Sequence, residues 1–135
     1  MTKRIFSIFL IALVFISCNN NEKPTTAIDT GRLFIRTTLD GNFTDAEPLL
    51  YKDTINIELF DSYKNFYNSH ISEADKKSYK ESDYTINKYQ DLNDSTAVIN
   101  YSNSYMKKPM EVKIIRDKGE WKIDFKHTSA GNTSN

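Results

Sequence analysis

The sequence predicts an α+β fold, with helices in the first half of the chain packed on one face of a four-stranded antiparallel sheet in the second. Two observations carry this. Between Ile28 and about residue 77 the apolar residues recur at steps of three and four, the spacing of one helix face. From Tyr84 onward they recur at every second residue, the spacing of strands with one buried and one wet face. Helices followed by a run of strands is the order of an α+β domain rather than of alternating βαβ units.

Each element has its own signals. Ile28, Leu33, Phe34, Ile35 and Leu39 form the first apolar stripe, and Gly41 stands where a helix C-cap is expected. Thr44-Asp45-Ala46-Glu47 reads as a capping box with Thr44 as N-cap, and Pro48 falls in the first turn, where its missing N–H costs little. Ile55, Leu59, Tyr63, Phe66 and His70 follow steps of 4, 4, 3 and 4 and predict one buried face of a long helix, widened by Phe60 and Tyr67. Ser72 restarts a short helix, with Glu73 and Lys77 as an i,i+4 pair.

The strands follow from alternation. Ala97, Ile99 and Tyr101, then Met110, Val112 and Ile114, then Trp121, Ile123 and Phe125 are the inward sets. Asn93-Asp94 and Lys118-Gly119 are hairpin turn signals. In the first strand Tyr84 and Ile86 are in phase and Tyr89 is not, so a bulge is expected near Asn87-Lys88. Trp121 leads the apolar phase of the last strand and is expected in the core.

The N-terminus reads as an address. Lys3-Arg4 precedes Ile5–Ile16, twelve residues with Ser7 as the one polar member. At ~1.5 Å per residue this run falls well short of a bilayer's ~30 Å hydrocarbon core, so it is a secretory signal rather than a span. It ends in Phe15-Ile16-Ser17-Cys18, which resembles the lipobox of bacterial lipoproteins, with Phe15 and Ile16 departing from the usual Leu and small residue. The resemblance implies removal of residues 1–17 and acylation of Cys18, holding the protein on a bacterial membrane with its domain outside the cytoplasm. The expected organisation is signal peptide 1–17, polar tether 18–27, domain 28–126 and a disordered tail 127–135.

Composition narrows the function. The 135 residues carry 18 Lys and Arg against 18 Asp and Glu, so the surplus of cations that nucleic acid requires is missing. Loss of 17 residues removes Lys3 and Arg4, leaving 118 residues with 16 cations and 18 anions. A single Cys excludes an internal disulfide and a Cys-based zinc cluster.

The helix end Phe34…Leu39-Asp40-Gly41-Asn42, followed by Ala46…Leu49-Leu50 and closing in Gly119-Glu120-Trp121-Lys122-Ile123, resembles small bacterial lipoproteins of unknown function in the nuclear-transport-factor-2-like (cystatin-like) superfamily. The resemblance spans roughly residues 28–126. It implies a curved sheet wrapped on helices into a cone with room for a cavity. It implies no single activity, because the superfamily includes isomerases, dehydratases, adaptor domains and binding proteins.

Residues for chemistry are few. His70 reads as a helix-end residue near the C-terminal dipole and His127 as part of the tail; two distant histidines offer no metal-ligand spacing. Asp83, Asp117 and Asp124 fall at strand ends or on the polar phase and read as solvated. No cofactor is expected and no catalytic residue stands out. Eight tyrosines are the unusual feature, suited to lining a cavity or its rim. A pocket is expected between the Tyr63–Phe66 helix face and the strand face of Ala97, Ile99 and Tyr101. The leading reading is a membrane-anchored, non-catalytic envelope lipoprotein that binds a small ligand or a partner protein. A cone-fold enzyme with a cavity carboxylate and a structural subunit of an envelope complex are the alternatives.

Overall fold

The computed structural model describes residues 22–128; Cys18, the signal segment and the tail beyond Thr128 lie outside the described residues. Helix α1 (Ala27–Leu39) is followed by the one-turn α2 (Phe43–Ala46), a 3₁₀ turn (Glu47–Leu49), the long α3 (Thr54–His70) and α4 (Glu73–Glu81). Strands β1 (Tyr84–Asn93), β2 (Thr96–Asn103), β3 (Met110–Asp117) and β4 (Glu120–Ile123) form one antiparallel meander in the order β1-β2-β3-β4. The α+β fold read from the sequence is the fold observed.

Helix α1 seats on β2–β4 with Gly31 close against the sheet and Thr30, Phe34 and Ile35 buried beside it. Thr30 and Gly31 face the sheet, and a Cβ on Gly31 would come within 2.3 Å of Ile99 Cδ1, whereas Leu33 is 40% exposed. The buried hydroxyls of Thr37 and Thr38 bond back to carbonyls of the preceding turn, which satisfies them without a partner on the sheet. The helix ends in a Schellman motif: Gly41 N–H bonds to Thr38 O and Asn42 N–H to Thr37 O, with Gly41 at φ +69°. Asn42 then caps α2 by accepting from Asp45 N, so the cap stands two residues before the expected Thr44. Arg36 reaches out of α1 to Ser82 O (2.9 Å) and Lys80 O (3.1 Å), capping the end of α4.

In α3 burial falls on the Phe60 and Tyr67 edge of the expected face rather than on its Ile55-to-His70 line. Ile55 is 56% and Phe66 53% exposed, while Asn56, Phe60 and Tyr67 are buried. The helix is turned by one residue, because Asn56 has a task inside: its Oδ1 accepts the Lys126 backbone N–H at 2.7 Å. Phe60 thereby enters an aromatic cluster with Phe34, Phe43 and Phe125 at ring separations of 5.3–6.3 Å. Asp53 caps the helix, its carboxylate accepting from Asn56 N. Ser72 caps α4 as expected, but Glu73 pairs with Lys76 and Lys77 with Glu81.

The sheet follows the alternation closely. Ala97, Ile99, Tyr101, Val112, Ile114 and Ile123 are buried on the helix face. The register of β1 against β2 shifts between Ile86 and Lys88, where the bulge was expected. Lys118 (φ 49°) and Gly119 (φ 81°) form the last tight turn. The last strand is shorter than its pattern, ending at Ile123, after which residues 125–128 are helical. That turn swings Phe125 between Phe34 and Phe60, and Thr128 Oγ1 accepts the Lys113 N–H.

Three expectations are corrected here. Asp124 is buried, 5% exposed, with Oδ2 3.6 Å from Lys113 Nζ, because it sits at the break between strand and helix. The fold runs from Ala27 to at least Thr128, both buried, rather than from 28 to 126. Trp121 is half-buried beneath the Arg116 guanidinium, 5.7 Å from its ring, rather than deep in the core. Trp121→Ala is therefore expected to cost about 1–2 kcal/mol in urea unfolding, below the ~3–5 kcal/mol of a fully buried aromatic; a loss above 3 kcal/mol would place the indole inside.

Candidate functional site

Between the far half of α1, α3, α4 and the near ends of β2 and β3 lies a cavity of about 310 Å³. Phe34, Thr38 and Leu39 of α1 form one wall, and Tyr63, Phe66 and Tyr67 of α3 the opposite one. Tyr101, Asn103 and Met110 form the sheet side, Tyr79 and Met106 the rim, and Phe125 and Thr128 the back. The size is at the lower end of the ~300–1,000 Å³ of small-molecule sites. None of the residues lining it carries a charge.

The cavity persists because its walls are braced from outside. Tyr79 and Tyr105 meet edge to face with centroids 4.9 Å apart, and the Tyr105 hydroxyl donates to Asp75. This ties α4 to the β2–β3 loop across the rim. The Asp75 carboxyl is held below the usual carboxylate range, first by Tyr105 and then by Ser72.

Tyr63, Tyr67, Tyr79 and Tyr101 all line the cavity, with the Tyr67 hydroxyl lying against Gly41. Burial pushes the Tyr63 phenol up to about 12, reinforced by Tyr79 and Tyr67. Burial raises Tyr101 further, reinforced by Tyr63 and Tyr79. Tyr67 and Tyr79 are also raised, again mainly by burial. At neutral pH all four are uncharged phenols that can donate and accept. A phenol raised on folding favours the native state below its unfolded value near 10, and that contribution is lost as pH rises through the folded value near 12. Stability is thus expected to fall from pH ~10 upward, with tyrosinate absorbance appearing late. An absorbance titration of the native protein with all tyrosines ionising near 10 would contradict this.

Asn103 is the one amide in the wall. It is 2% exposed, and its Oδ1 accepts from Tyr105 N (3.1 Å) and Met106 N (2.8 Å), closing the turn after β2. Its Nδ2 has no hydrogen-bond partner. A buried donor left unmatched costs about 1–3 kcal/mol.

Of the pocket residues expected from sequence, Tyr63, Phe66 and Tyr101 line the cavity. Ala97 and Ile99 do not: both are fully buried, and Ile99 is packed against Gly31 of α1. Tyr67 and Tyr79 were among the eight tyrosines read as suited to a cavity; Asn103 and the two methionines were not singled out. Asn103 continues the 97-99-101 alternation by one step, so the period itself pointed to it. His70 stacks on Phe66 outside the core, and His127 lies 3.2 Å from Glu111; neither lines the cavity. Among the described residues no cluster of His, Cys, Asp and Glu has a metal-site arrangement, and no helix is long and apolar enough to cross a membrane.

The fold and this site define a class: a small α+β domain holding an uncharged, tyrosine-lined cavity between its helices and one end of its sheet. No protein-family model, curated protein or solved structure matches the chain.

Proposed function

We propose that this chain is a lipid-anchored binding protein of the bacterial cell envelope, related to the cystatin-like lipoproteins, whose cavity takes a small neutral ligand without chemical turnover. The observation that carries the ligand reading is the lining: aromatic and aliphatic walls with four tyrosines and one amide and no charged side chain. Such a surface suits an apolar body with a few polar groups. A catalytic reading would call for a carboxylate or imidazole on the cavity wall. The buried Asp124 instead lies beside Lys113, with Lys126 4.0 Å from its other oxygen. The anchor rests on the Ile5–Ile16 apolar run and on Ser17-Cys18.

The test is thermal unfolding of residues 18–135 carrying Cys18→Ser, against matched neutral and anionic aromatic compounds. A neutral ligand at 100 times its Kd is expected to add about 2.7 kcal/mol of stability. Met110→Trp, which places an indole in the cavity, is expected to abolish the effect. Stabilisation by anions alone, or stabilisation unaltered in Met110→Trp, would point to a site elsewhere.

A further inference from the structure

The direction of the Asn103 amide narrows the ligand class, given the binding role proposed above. Two backbone donors, Tyr105 N–H and Met106 N–H, converge on one end of this side chain. That end must be the oxygen, since an NH₂ group there would meet two N–H groups and accept from neither. The other end is therefore the NH₂, and rotating the amide to exchange them would break both bonds. The NH₂ is buried and has no protein acceptor, and Asn103 is one of the residues that line the cavity. It is a donor of fixed direction, unlike the tyrosine hydroxyls around it, which turn to donate or accept.

From this we infer that the cavity recognises a neutral compound bearing a carbonyl oxygen (a ketone, ester or amide), with the oxygen accepting from Asn103 Nδ2 and the apolar remainder lying against Tyr63, Tyr101 and Met110. An anion is disfavoured because no cation lines the wall to offset its desolvation. A pure hydrocarbon is disfavoured because it would leave the amide unmatched. A carbonyl meets both conditions.

The experiment uses residues 18–135 carrying Cys18→Ser, so that no acyl chain competes for the cavity. Acetophenone and α-methylstyrene have nearly the same shape and differ in C=O against C=CH₂; benzoate adds the charge. Titration calorimetry is expected to show acetophenone binding at least about tenfold more tightly than α-methylstyrene, with benzoate weakest. Asn103→Asp keeps an acceptor for both backbone N–H groups and removes the donor, so it is expected to erase the preference for the carbonyl. Equal affinity for acetophenone and α-methylstyrene in the wild-type chain overturns this inference and leaves the cavity reading standing. Tighter binding of benzoate overturns the requirement for neutrality. Binding of none of the three removes the cavity reading, and this inference with it. The comparison within the wild-type chain does not depend on the folding of the variant.

Discussion

Phe60→Ala is expected to destabilise the domain by about 3–5 kcal/mol, while Phe66→Ala, six residues further along the same helix, is expected to cost less than about 1 kcal/mol. Phe60 is 1% exposed and touches Phe34, Phe43, Tyr63 and Phe125, so its removal opens a hole that four rings hold rigidly apart. Phe66 is 53% exposed and stacks on His70 at the surface. A domain of this size has ~5–15 kcal/mol in all, so the first variant approaches the unfolding threshold at room temperature. Denaturant midpoints of the two variants check this. A Phe66→Ala loss equal to that of Phe60→Ala would restore the helix face read from the 55-59-63-66-70 spacing.

That reversal shows where the sequence was legible. The strands were readable because alternation depends only on which residues are apolar, and Ala97, Ile99, Tyr101, Val112 and Ile114 all face inward as their period requires. The long helix misled because its sequence holds two overlapping apolar faces. The choice between them was made by Asn56, a polar residue whose value lies in accepting the N–H of Lys126, 70 positions away. A pattern of apolar residues carries no record of such a distant partner. Leu33 misled in the same way: Gly31 is the residue that meets Ile99 of the sheet, and the larger Leu33 is 40% exposed. The same logic holds at the cavity. Tyr63, Phe66 and Tyr101 were visible as aromatics on expected faces. Ala97 and Ile99 were misplaced because the close seat of α1 fills the space over them. Phe125 escaped its strand because the pattern does not say where pairing ends.

Cys18→Ala is expected to abolish acylation, so that the precursor no longer partitions into detergent as a lipid-modified protein. At ~0.8 kcal/mol per buried methylene a single myristoyl chain binds only marginally, but two or three chains on one cysteine hold a domain nearly permanently. Among the described residues no helix is long and apolar enough to cross a membrane. Detergent phase partitioning and intact mass read the outcome: the wild-type chain is expected to carry lipid mass and to begin at Cys18, and the variant to carry none. A wild-type chain that is soluble and unacylated would remove the envelope assignment while leaving the fold and the cavity untouched.

The central claim is that the cavity is a ligand site, and the methionines report on it directly. The sequence has three, Met1, Met106 and Met110, and the last two both line the cavity. In residues 18–135 carrying Cys18→Ser, with methionine methyls labelled with carbon-13, titration with a neutral aromatic ketone is expected to shift both the Met106 and Met110 methyl signals along one saturating curve, by ring current from the bound ligand. Methyl signals that stay fixed through a large excess of ketone, or that drift linearly without saturation, would contradict the account and leave the cavity as empty space between packed elements.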